Sequence, residues 1–113
     1  MTRTLRVAPL AGICLALGLL AGAGASWAGD AAAGKEKAAV CGACHGLDGN
    51  SQAPDFPRLA GQHEDYLLRA LIDYKSGQRK NPIMAGQVAN LEKKDMADLA
   101  AWFASQPGLV TKR

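Results

Sequence analysis

Aromatic side chains are scarce in this sequence: two each of Trp, Tyr and Phe in 113 residues. Beyond residue 28 only Phe56, Tyr66, Tyr74, Trp102 and Phe103 are available to a core. The apolar fraction is inflated by alanine, which buries little area per residue. A domain of about 85 residues built this way lacks bulk, and domains that small commonly lean on a disulfide, a metal or a bound group. Something other than side chains has to fill the middle. An excess of one charge is missing too. Residues 29–113 carry 11 basic and 10 acidic side chains, a formal +1, against +3 for the whole chain. The electrostatic footprint of a nucleic-acid-binding protein is therefore absent. Strand-period alternation and internal repeats are also lacking, which argues against β and solenoid architectures.

The single long apolar run lies at the start. Arg3 and Arg6 precede an uncharged stretch from Val7 to Leu20, and the small-residue tract Ala21–Ala28 leads into Gly29-Asp30. That order predicts a secretory signal peptide over residues 1–28 and a domain over 29–113. Ser26 and Ala28 suit a cut after Ala28; Ala23 and Ala25 offer another after Ala25. A bilayer-spanning helix wants about 20 apolar residues, and this run thins into Gly and Ala first. A lipid anchor on Cys14 is disfavoured by the bulky Ile13 before it. The expectation is export to the periplasm, with no integral membrane segment after cleavage.

Cys14 leaves with the leader, so two cysteines remain, in Cys41-Gly42-Ala43-Cys44-His45. This is C-x-x-C-H, the attachment motif of a c-type haem. On a helix, positions i and i+3 share a face, so both sulfurs reach the two vinyl groups of one porphyrin edge. The next residue sets its imidazole under the iron. A redox dithiol would be expected beside a strand, and none is predicted. A zinc site needs a fourth ligand at finger spacing, which His63 does not provide. In an exported chain, a plain disulfide leaves the histidine as coincidence. The motif therefore predicts one covalent haem c. Two ionised propionates would bring the net charge to about −1.

Around that motif the chain reads as all-α: three main helices and long loops about one covalent haem. Asp30 caps a first helix running to about Ala43, and 46–61 is a loop with Pro54 and Pro57. Gln62–Ser76 is a second helix, with Tyr66, Leu67, Ala70, Leu71 and Tyr74 on one side and Gly77 as its stop. Residues 78–90 read as loop, broken by Pro82 and Gly86. A last helix from about Glu92 to Ser105 carries acidic residues in its first turn and buries Met96, Leu99, Ala100, Trp102 and Phe103.

Six-coordinate haem iron in electron carriers is commonly held by His and Met. Met96 belongs to the last helix's apolar stripe and reads as core. Met84 sits in the non-periodic segment after Asn81-Pro82-Ile83, with no helical stripe to account for it, and is the candidate second ligand opposite His45. His63, the rival, reads as a solvated first-turn residue.

With these residues the chain resembles the class I cytochromes c, above all the small bacterial ones that occur singly or as halves of tandem two-haem proteins. The resemblance covers residues 29–113. It rests on Gly29-Asp30, Gly34, Cys41 to Gly46, Pro57 to Gln62, Tyr66-Leu67, Gly77 to Arg79, Met84 and Asp98 to Phe103. It implies that Gly34 lets the first and last helices cross, with Leu99 and Trp102 opposite. Ala38 stands where many relatives carry an aromatic. The resemblance also implies that the Pro57 carbonyl accepts from the outer nitrogen of His45, a contact that tunes the ligand. Leu59 would pack on the haem, and Arg79 or Lys80 would pair with a propionate.

The implied function is one-electron transfer rather than catalysis, since His and Met ligation leaves no open iron site and no catalytic constellation is present. The expected partners are transient redox proteins such as a quinol-oxidising complex, a terminal oxidase or a reductase. Two alternatives stand beside this: a dedicated haem subunit of a periplasmic oxidoreductase, and a haem enzyme or gas sensor with Met84 displaced.

Overall fold

The computed structural model describes residues 28–108. Apart from Ala28, the expected leader lies outside them, as does the tail 109–113. The described residues form five helices and no strand: α1 (Ala31–Lys37), α2 (Ala39–His45), α3 (Glu64–Ser76), α4 (Pro82–Val88) and α5 (Lys93–Ser105). The all-α fold thus stands, with two differences in detail.

The first predicted helix is two. Asp30 caps α1, its carboxylate accepting from the Ala32 and Ala33 amides at 2.9 and 3.2 Å. At Ala38 the ladder tightens to a three-residue bond, Ala38 N to Lys35 O at 3.2 Å. α2 then resumes and delivers the C-x-x-C-H segment. The second difference is α4, which occupies a stretch read as loop. Pro82 and Gly86 looked like breakers, yet proline is favoured at the first helical position, where no amide hydrogen is needed. Asn81 supplies the cap, its side chain accepting from Ile83 N at 3.0 Å and Met84 N at 3.1 Å.

α1 crosses α5, and α3 packs on both α5 and α4. The α1–α5 crossing depends on Gly34. A Cβ there would run into the Asp98 carbonyl and the Trp102 Cβ, so Asp98 and Trp102 make the closest approach. Because the obstacle is backbone, Gly34→Ala is expected to destabilise the protein by roughly 1–3 kcal/mol. A shift in the urea midpoint measures it, and an unchanged midpoint would show that the crossing has slack.

The core joins Ala38, Leu67, Leu99, Ala100 and Phe103, with Cys41, Leu59, Leu68, Leu71 and Trp102 packed against it. Met96 is buried, as its place in the stripe predicts. Tyr66 is not: it stands half out of the body, with its hydroxyl 3.5 Å from the Arg79 guanidinium. Leu67, Leu68 and Leu71 form the working face of α3 instead. α3 ends as expected, at Gly77 in the left-handed conformation (φ 81°).

α5 begins with a reciprocal cap: the Glu92 amide donates to Asp95 at 2.9 Å, and the Glu92 side chain caps the third helical residue. Its unforeseen feature is Asp98, 1% exposed. Both carboxylate oxygens are occupied. One accepts from the Asp30 amide at 2.8 Å and from Lys94 at 3.1 Å. The other lies 2.7 Å from Lys37 and 2.8 Å from Lys94. These donors hold the Asp98 carboxyl far below the usual carboxylate range, the Lys37 hydrogen bond first among them and Lys94 next.

Candidate functional site

α2 carries Cys41, Cys44 and His45 in its last turn and a half. Both cysteines are free thiols, Cys41 half-buried and Cys44 exposed. Burial pushes the Cys41 thiol up from its ordinary value. His45 is the last residue of α2 and is 8% exposed. Its Nδ1 lies 2.7 Å from the Pro57 carbonyl oxygen. A carbonyl can only accept, so Nδ1 bears the proton and Nε2 keeps its lone pair free for a metal. Phe56 meets the imidazole edge-on, with ring centres 6.3 Å apart.

The loop 46–61 positions Pro57 by closing on itself. The Gly49 carbonyl accepts from Leu59 N at 2.8 Å and Ala60 N at 3.2 Å. Ser51 is buried and bonds both the amide and the carbonyl of Ala53 through its hydroxyl, while Arg58 Nε reaches back to the Ser51 carbonyl at 3.3 Å. Gly61 N anchors the loop's end to Phe103 O on α5 at 3.0 Å. These contacts fix the Pro57 oxygen and hold Leu59 against the core.

Met84 comes from α4 rather than from a loop. It lies half-buried one helical turn before Val88, which is 1% exposed. Residues four apart share a helix face, so Met84 stands on the inward side and Ile83, 61% exposed, does not. The α4 end is tied to α3 by Lys75 Nζ on the Ala89 carbonyl at 2.7 Å. Arg79 is exposed. Its backbone amide bonds Asp73 O at 3.0 Å, and its guanidinium stacks 4.8 Å from the centre of the Tyr74 ring. Lys80 is exposed beside it, and His63 sits half-buried just before the first residue of α3 without capping it. The structure thus groups Cys41, Cys44, His45, Pro57 and Leu59 around α2, while Arg79 and Met84 belong to the α3–α4 side.

Sequence reasoning missed Phe56, whose one signal is an aromatic isolated between two prolines. It also missed Asp98, for which the Lys94–Asp98 spacing was the visible hint. An apolar recess lined by Ile72, Lys75, Ala89, Leu91 and Met96 shares no residue with the site.

The donor set suits a covalent haem. Two thiols and an imidazole with a free nitrogen share one short helix, and apolar side chains surround them. Val40 and Leu47, on either side of Cys41–Cys44, are largely exposed. Among the buried apolar residues of the body, half are alanine, so side chains alone supply little bulk to the core. Among the described residues, no three His, Cys, Asp or Glu side chains converge on one metal-sized point.

Comparison with known proteins agrees. The Cytochrome c family model matches residues 31–107. Cytochrome c4 of Pseudomonas aeruginosa is 59% identical over 97 residues, covering 86% of this chain and 47% of the relative. Cytochrome c-554(548) of Halomonas halodenitrificans is 45% identical over 82 residues, covering 70% of this chain and 99% of its own. The crystal structure of reduced recombinant cytochrome c4 from Pseudomonas stutzeri superposes with a TM-score of 0.69 at 53% identity, over 74% of this chain and 48% of that one. The chain spans about half the length of the cytochrome c4 relatives it matches.

Proposed function

Because the chain belongs to the cytochrome c family, we propose that it is a one-electron carrier bearing a single haem c and working in the periplasm. Cys41 and Cys44 would hold the haem by thioethers, and His45 Nε2 and Met84 Sδ would take its iron. When bound, the group supplies an iron that alternates between the ferrous and ferric states. The observation that carries the reading is the His45–Pro57 contact at 2.7 Å. It locks the imidazole in the tautomer a metal requires and fixes its plane, the outer-shell support that ligating histidines need.

The other residues fit the same task. Leu59 offers apolar contact, the Pro57 loop keeps water from the buried imidazole, and Arg79 is the cation at hand for a propionate. With His45 and Met84 both holding the iron, no site would be left on it for a substrate, and the chain would carry electrons rather than catalyse a reaction. The exposed Cys44, flanked by Val40 and by Leu47 at 72% exposure, would leave one haem edge at an apolar surface. A small surface of that kind suits brief docking of redox partners, such as a quinol-oxidising complex, a terminal oxidase or a reductase. No helix among the described residues is long and apolar enough to cross a membrane.

Acid-acetone extraction of the purified protein tests the proposal. The pigment should stay on the polypeptide, and a potentiometric titration should follow a one-electron curve. A colourless polypeptide after extraction removes the covalent haem and the carrier reading together.

A further inference from the structure

Two backbone amides at the start of the described chain are gripped by distant side chains. Gly29 N lies 3.2 Å from Glu64 Oε1, the first residue of α3. Asp30 N donates to the buried Asp98 on α5. Gly29 also lies directly on the α5 backbone, where a Cβ would run into the Ala97 carbonyl. Ala28, one residue earlier, is exposed. Gly29 is thus held against α3 and α5, directly after the bond where Ser26 and Ala28 offer a signal peptidase their small side chains.

We propose that cleavage after Ala28 makes Gly29 the first residue of the mature protein, and that its new α-ammonium forms an ion pair with Glu64 that clasps the N-terminus of α1 to α3. Within an intact chain, Gly29 N is a neutral amide with one hydrogen to give. As a free terminus, with an ordinary α-amino pKa of about 7.7–8.0, it carries a full charge and three donors at neutral pH. The Glu64 contact then becomes charge-assisted. Asp98, which accepts from the neighbouring Asp30 amide, is already filled by Lys37 and Lys94 as well. Glu64 remains to take the new charge. A cut after Ala25 makes no such pair, because the ammonium then sits three residues out, up to about 10 Å of extended chain away.

Processing thus adds an interaction that the precursor cannot make, and it does so whether or not the electron-carrier reading holds. The test begins with the intact mass of the haem-bearing protein recovered after secretion, expected to correspond to a Gly29 start. A second form is produced from an Ala28→Gln precursor, in which the only well-formed cut falls after Ala25. Glu64→Gln is then introduced into both. In the Gly29 form the substitution should raise the unfolding equilibrium constant roughly two- to fivefold more than in the Ser26 form, the range of a partly exposed ion pair. A wild-type mass starting at Ser26, or an equal effect of Glu64→Gln in both forms, overturns the proposal. Visible absorbance reports haem attachment separately in each preparation, so failure here and failure of the haem reading are told apart.

Discussion

Met84→Ala is expected to keep its covalent haem, lose the weak sulfur-to-iron band toward the red end of the spectrum, and fall in reduction potential by on the order of 0.1–0.2 V. That drop is a fraction of the ~0.8 V over which axial ligands set haem potentials. A thioether is soft and a weak donor, so it favours the ferrous state; without it the ferric state gains. Redox titration with spectra on the variant and the wild type reads both quantities. The cysteines and the His45–Pro57 contact are untouched by the change, so attachment should survive acid-acetone extraction. Met96→Leu is the matched control, since Met96 is buried in the core on α5 and a volume-conserving exchange there should leave band and potential alone. If Met84→Ala keeps both, the sixth ligand lies elsewhere and His63 becomes the next residue to replace.

Asp98→Ala should cost about 2–4 kcal/mol, among the largest losses a single side chain outside the haem site can cause. Removing one partner of a buried ion pair typically costs about 3–5 kcal/mol, because the charge left behind is uncompensated. Here the figure is smaller. Lys94 is largely exposed and Lys37 one-third exposed, so both can turn to water, while the Asp30 amide loses its acceptor outright. Asp98→Asn keeps that acceptor and should recover part of the loss.

The pH dependence has a definite sign. The folded-state pKa of Asp98 is depressed by Lys37, Lys94 and the Asp30 amide, so the native state binds the proton less readily than the unfolded chain. Its stabilisation is complete above the unfolded value of about 3.9 and fades as pH falls below it toward the folded value. The gap in urea midpoint between wild type and Asp98→Ala should therefore hold steady from neutral pH to about 5 and narrow in stronger acid. A gap that is constant down to pH 2 would mean that the loss is one of packing and not of charge.

Much of the site could be read in advance because its information is local. Cys41, Cys44 and His45 stand at fixed spacing on one short helix, so the motif specifies its own geometry. Asn81-Pro82 was also local, yet its meaning was lost: cap and first helical residue look like turn residues until the helix they open is seen. Tyr66 was placed inward by periodicity and stands outward. A stripe of apolar residues fixes the side of a helix only to within about one position, and here Leu68 takes the inner place with Arg79 engaging the phenol.

Sequence alone determined the all-α character, the family resemblance and the covalent haem motif. Each of these is written in residue type and short-range spacing. Tertiary structure decided what depends on residues far apart meeting. It set the Pro57 oxygen against His45, laid Gly29 and Gly34 on the backbone of α5, and buried Asp98 among two lysines and an amide. Such pairings arise where helices cross and loops close, and the energy of each lies in a partner that one stretch of chain does not name.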